Sequence, residues 1–149
     1  MTAGEYCNRE VIIVEPAVSV TEAAVLMRRH HVGDLVVVEK EGDEARPIGI
    51  ITDRDIVLEV IAQKIEPDSL TVKDIMSTDP VHVAETVSLL DTLELMKQRG
   101  VRRVLVIADS GGLQGLLSAD DAIELIAEQI NDLTLLVDRE ITREQKQHP

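Results

Sequence analysis

A chain that repeats itself has few folds open to it, because each copy must bury an equivalent apolar face against the other. Residues 11–39 lie on residues 80–108 without a gap. The match pairs Val14 with Val83, Ser19 with Ser88, Met27 with Met96, Val32 with Val101 and Val37 with Val106. Beyond Glu39 the first copy holds three extra residues, in a polar stretch, 39–47, that contains Gly42 and Pro47 and reads as a surface loop. The match then resumes. Gly49-Ile50-Ile51-Thr52-Asp53-Arg54-Asp55 returns as Gly115-Leu116-Leu117-Ser118-Ala119-Asp120-Asp121. A glycine, an apolar pair, a hydroxyl residue, two variable positions and an aspartate predict a short buried strand running into a capped helix. Halves of about 60 residues are marginal for filling a core alone, so they are expected to pack against each other.

Each half spells the same order of elements. Val11–Val14 reads as a strand, and Ser19-Val20-Thr21-Glu22 as a capping box opening an amphipathic helix through Ala23, Ala24 and Met27 to about His31. Leu35–Val38, four apolar residues bounded by charges, predicts a buried strand that pairs with Ile48–Ile51. Ile56, Val57, Val60 and Ile61 fall on one face of a second helix. In the second half the strands are Val81–Val83, Val104–Ile107 and Leu113–Leu117. Its helices start at Ser88 and about Ala119, and Gly100 stands where a helix C-cap glycine would. The prediction is an α/β (α+β) fold of two β-α-β-β-α motifs, residues 9–66 and 70–130, with Pro67-Asp68-Ser69 as linker. Residues 1–10 read as polar and loosely held, and Leu70–Met76 has no evident counterpart in the first half. The tail, 131–149, keeps helical spacing through Leu133, Leu136, Val137 and Ile141, so it either extends the last helix or docks on a partner chain.

Composition narrows the function. One Tyr, no Phe and no Trp mean an aliphatic core, and any ligand ring would be gripped by aliphatic side chains and backbone. A net charge of −13 repels nucleic acid and anionic membranes. Cys7 is the one cysteine, so no intrachain disulfide forms; it reads as an inert residue near a loose terminus in a reducing compartment. No apolar run approaches the roughly 18 residues of a membrane span, and the expectation is a soluble, cytoplasmic chain. His30, His31 and His82 form no metal set, no phosphate-binding glycine loop or nucleophile elbow is present, and no residue is marked as catalytic.

The chemistry-bearing residues are the hydroxyl–carboxylate pairs Thr52 with Asp55 and Ser118 with Asp121. Both satisfy the capping-box rule, as do Ser19 with Glu22 and Ser88 with Asp91, so capping alone explains any one of them. The other reading is that hydroxyl and carboxylate at a strand-to-helix turn hold a diol such as ribose, with the helix N-terminus favouring phosphate. Arg102 and Arg103 form a basic pair in an acidic chain and suit bidentate phosphate contacts, or are simply solvated. The matching positions in the first half are Gly33 and Asp34, and an aspartate there would repel phosphate.

With the repeat, the element order and these motifs together, the chain resembles the CBS-domain family, as a stand-alone tandem CBS pair (Bateman module). The carriers are residues 49–56, 72–81 and 100–107, within a resemblance spanning about residues 9–130. The resemblance implies two motifs about a pseudo-two-fold axis, commonly paired again into a homodimer. It implies an adenosine-containing ligand (AMP, ADP, ATP, S-adenosylmethionine or NAD) bound as a regulatory signal in clefts between the motifs. Thr52 with Asp55 and Ser118 with Asp121 would hold ribose hydroxyls. Phosphate would lie near Arg102, Arg103 or Arg54, and adenine against groups near Thr78, Pro80, Val81, Ile51 and Leu117. The site using Ser118, Asp121 and the arginines is expected to be the better phosphate binder. The implied role is a non-enzymatic sensor that signals to an unidentified protein partner; the alternative is a structural interaction or dimerisation module with no small-molecule ligand.

Overall fold

The computed structural model describes all 149 residues, Met1–Pro149, which form two compact units, Met1–Leu117 and Ser118–Pro149. The elements are α1 (Ala3–Tyr6), β1 (Ile13–Val14), α2 (Val20–His30), β2 (Asp34–Glu41), β3 (Glu44–Thr52) and α3 (Asp53–Ile56). They continue as α4 (Val72–Ile75), β4 (Ser77–Thr78), β5 (His82–Ala84), α5 (Leu89–Arg99), β6 (Arg103–Ile107), β7 (Leu113–Ser118) and α6 (Ala119–Gln147). Strands β1-β2-β3-β4 make one sheet and β5-β6-β7 another. In each, the first strand runs parallel to the second, Ile13 opposite Val36 and Val83 opposite Val106.

The run Leu35–Val38 is fully buried on both faces of its sheet, as unbroken apolarity predicts. Leu35 and Val37 pack with Ala23 and Met27 of α2, Ile51 and Val72, whereas Val36 and Val38 pack with Leu105 and Leu116. The second cluster joins the sheets of the two motifs.

A pseudo-two-fold relation shows in hydrogen bonds that occur in matched pairs. Ala3 N donates to Val87 O at 2.8 Å, and Val72 N to Val18 O at 2.8 Å. Leu89 N donates to Met1 O at 3.0 Å, and Val20 N to Leu70 O at 3.0 Å. Asn8 bridges Leu116 as Ser77 pairs with Ile50. These contacts correct two expectations. Residues 1–10 are not loose: Ala3 and Gly4 are buried, and Thr2 closes a capping box with Glu5. Nor does Leu70–Met76 lack a counterpart, since Thr2–Cys7 occupies the same place, each segment seated on the other motif. The seating is backbone to backbone, and at Thr2–Cys7 it is close, for a Cβ on Gly4 would stand 2.7 Å from Glu85 Cβ.

Two further expectations are corrected. The stretch 39–47 is mostly strand: β2 runs to Glu41 and β3 starts at Glu44, so the extra residues lengthen a hairpin with a turn at Gly42 and Asp43. Pro47, which has no N–H, sits opposite Val38 where the register shifts, a place where a ladder bond is already lost. The second helix of motif 1 does not bury its apolar face. After α3 it widens into a π-helical turn, Val57–Ile61, in which Val60 is buried while Val57 and Ile61 are 54% and 60% exposed. The equivalent of Val57 in motif 2, Ile123, is likewise 63% exposed in a regular helix, so both motifs leave this face uncovered. In the second unit the tail extends the last helix, giving α6 29 residues. No helix is long and apolar enough to cross a membrane.

Candidate functional site

The strand-to-helix turn of motif 1 is built by β3. Gly49 pairs with Thr78 of β4, and any Cβ at Gly49 would meet Met76 Sδ at 2.6 Å and Ser77 O at 2.8 Å. The glycine therefore lets the segment around Thr78 lie flat along β3. Three residues on, Thr52 caps α3: its N–H donates to Asp55 Oδ2 at 2.9 Å, and Asp55 N–H donates to Thr52 Oγ1 at 3.1 Å. Both side chains are half-buried, whereas Arg54 is exposed and its N–H donates to Asp53 Oδ1 at 2.8 Å.

In the second unit Ser118 and Asp121 make the same box, with Ser118 N to Asp121 Oδ2 at 3.0 Å and Asp121 N to Ser118 Oγ at 3.1 Å. The Ser118 hydroxyl also donates to Asp121 Oδ2 at 2.7 Å. Both predicted pairs are thus brought together, and both serve first as caps. Each box uses Oδ2 of the aspartate as its acceptor.

The basic pair divides. Arg102 is exposed before β6. Arg103 Nε donates to Asp34 Oδ2 at 2.6 Å, with the two side chains 32% and 21% exposed. Asp34 lies opposite Thr52 in the β2–β3 ladder, so Arg103 is tethered to the strand end that carries the motif 1 box. The sequence treats Asp34 as a charge that repels phosphate from motif 1. In the structure that carboxylate is ion-paired with Arg103.

The residues predicted to face adenine fall into two groups. Pro80 lines an open cavity of about 360 Å³ with Ile48, His82, Leu105 and Ile107. Val81 is half-buried beside it, and its carbonyl accepts from Leu105 N at 2.9 Å. Ile51 and Leu117 are 0% and 1% exposed and belong to the core, so their side chains offer no surface to a ligand. Ile50, on the other face of β3, is half-buried against Val36, Val38 and Leu105, whereas Ile48, at the register shift, is half-buried against the cluster that holds Ile51. Strand alternation, counted from Thr52, identifies the face of Ile50 from sequence. Thr52 and Asp55 do not line this cavity.

The CBS-domain family model matches residues 3–62 and 72–128. The chain belongs to the CBS-domain family. As a tandem CBS pair it is 37% identical over 125 residues to an uncharacterised protein of Methanopyrus kandleri, covering 84% of this chain and 62% of that protein. Among solved structures, the CBS pair resembles a CBS domain protein from Pyrobaculum aerophilum complexed with AMP. The TM-score is 0.72 at 26% identity, over 81% of this chain and 89% of that one. The CBS domain pair of an MJ0100 protein, in complex with 5'-methylthioadenosine and S-adenosyl-L-methionine, shares the fold with TM-score 0.74 at 22% identity, covering 87% and 98%. The first match of residues 3–62 begins within α1, in keeping with Thr2–Cys7 being part of the motif.

Proposed function

We propose that this CBS pair is a non-enzymatic regulatory module that binds an adenosine-containing ligand, of the AMP, ADP, ATP, S-adenosylmethionine or NAD class. One observation carries the reading: both motifs place a hydroxyl and a carboxylate, closed on each other, at the strand-to-helix turn. The AMP complex of the Pyrobaculum relative supports the ligand class. The carboxylates of Asp55 and Asp121 accept ribose hydroxyls. In motif 1, adenine rests near Thr78, Pro80 and Val81 on the Ile50 face of β3, in contact with aliphatic groups and backbone. Arg103, with Arg54 and Arg102, supplies the phosphate contacts. The module acts as a cytoplasmic homodimer on a protein partner, and ligand works by its different affinity for two arrangements of the pair.

A purely structural interaction module is favoured by one fact, that each box is complete as a cap without ligand. Asp55→Ala and Asp121→Ala separate the readings. Losing a cap lowers stability by about 1 kcal/mol with or without nucleotide. Losing a ribose contact removes the ligand-dependent part of stability, about 2.7 kcal/mol at a hundred times the dissociation constant. A dye-based thermal shift against AMP, ADP, ATP, S-adenosylmethionine, NAD and adenosine measures both. A shift with the parent chain that vanishes in a variant upholds the sensor; a flat panel at millimolar ligand overturns it.

A further inference from the structure

Helix α6 leaves a regular apolar seam uncovered. Ile123, Ile126, Ile130, Leu133 and Val137 recur at spacings of three and four residues, the pattern that brings side chains to one line facing a second helix. They are 63%, 44%, 60%, 63% and 50% exposed. The positions flanking this seam, Ala127, Gln129, Thr134 and Leu136, carry no charge. The acids Glu124, Glu128 and Asp132 lie outside it. In a chain of net charge −13, a face free of charge over about four turns is one that an equally acidic partner can approach.

We infer that the occupant is a second copy of this chain, its α6 running antiparallel, with Ile126 opposite Val137 and Ile130 opposite Leu133. A seam of this kind is self-complementary, as a two-fold interface requires. The direction follows from charge. Residues 119–132 carry five carboxylates and no basic group, whereas 133–147 carry three acids and three bases, Arg139, Arg143 and Lys146. A parallel pair sets the two acidic ends side by side and Glu140 against its copy. An antiparallel pair sets each acidic end against the near-neutral half. This assignment rests on the homodimer proposed above and adds its surface and direction; it does not depend on which ligand binds.

The test uses the full chain. Light scattering coupled to size exclusion is expected to give the mass of two chains for the parent and of one for Ile130→Glu/Leu133→Glu. Leu135→Glu, off the seam, keeps the mass of two. For direction, Ile126→Cys and Val137→Cys are made separately in a Cys7→Ser background. Under oxidation an equimolar mixture gives a disulfide-linked dimer, and neither variant alone does. A parent with the mass of one chain overturns the homodimer and this surface together. A folded Ile130→Glu/Leu133→Glu chain that stays dimeric overturns only the surface. Efficient crosslinking of either cysteine variant with itself, or none in the mixture, overturns the antiparallel pairing even if the double-glutamate variant fails to fold.

Discussion

The two CBS motifs are the same instruction carried out twice with different materials. At Gly49 and Gly115 they agree closely, because at both places a neighbouring segment crosses the strand at backbone distance. A Cβ at Gly49 would stand 2.8 Å from Ser77 O, and one at Gly115 2.7 Å from Asn8 O. Where only solvent or a turn is concerned they part. Motif 1 has the longer hairpin, from which Arg46 Nη2 reaches Ser110 O at 3.0 Å, and it ends α2 on His31 where motif 2 ends α5 on Gly100. Motif 1 also carries Asp34 at the position of Arg103. The difference teaches that a carbonyl crossing a strand at contact distance fixes the glycine beneath it, whereas charge and turn chemistry are free to differ between the motifs.

The sharpest test of the shared part is Gly49→Ala beside Gly115→Ala. Each forces a methyl against a carbonyl oxygen that belongs to a paired strand or bridge, and overpacking of this kind lowers stability by about 2 kcal/mol. Trimming the other near atoms, Met76 Sδ and Cys7 Sγ, leaves the carbonyl in place, so Met76→Ala and Cys7→Ala are not expected to restore stability. Chemical denaturation of the four chains checks this. A loss at Gly49 with none at Gly115 breaks the equivalence of the two crossing segments.

The crossing at Gly115 also marks where the sequence stopped being legible. The repeat, the capping boxes at Thr52 and Ser118 and the left-handed residue at Gly100 follow from local patterns and are present in the fold, while at Ser19 and Ser88 only the hydroxyl cap forms. Thr2–Cys7 does not announce itself, since against Thr71–Met76 it keeps only the capping hydroxyl and acid while Ile75 and Met76 become Tyr6 and Cys7. Its seat depends on backbone hydrogen bonds and on smallness at Ala3 and Gly4, which carry no hydrophobic signal. Burial there pushes the Cys7 thiol above its ordinary pKa, chiefly by desolvation, and Cys7 stands in a seated segment rather than a loose terminus. At the candidate site, the hydroxyl–carboxylate pairs were legible because capping is local. The Asp34–Arg103 pair was not, although the alignment places the two at equivalent positions. Equivalent residues meet only near a two-fold axis, and their distance from the axis is a property of the packed pair.

The helix ends give a middle-sized contrast. His31 holds φ 54° and Gly100 φ 64°, the same left-handed cap, and only glycine adopts it without strain. His31→Gly is expected to stabilise the chain by about 1 kcal/mol, and Gly100→Ala to destabilise it by about 1 kcal/mol. Thermal unfolding of both variants reads the two signs. A destabilising His31→Gly would mean that the imidazole makes up for the strain in motif 1, and the two caps would then differ in kind.

The smallest effect separates the two sites. Arg103 and Asp34 are 32% and 21% exposed, so solvent screens the pair, and a double-mutant cycle with Asp34→Ala and Arg103→Ala is expected to give a coupling of about 0.5–1 kcal/mol that shrinks with added salt. Exchanging the charges, Asp34→Arg with Arg103→Asp, should recover most of that coupling, because the equivalent positions face each other. The ligand response turns the same pair into a test of the sites. If Arg103 contributes to phosphate binding, Arg103→Ala reduces the thermal shift with AMP while leaving that with adenosine. Asp34→Ala, which leaves Arg103 unneutralised beside the Thr52 strand end, raises the AMP shift above the parent's. Equal losses for AMP and adenosine in Arg103→Ala would make the pair a structural clasp between the motifs, and the asymmetry of the two sites would then have to come from Thr52 and Ser118 themselves.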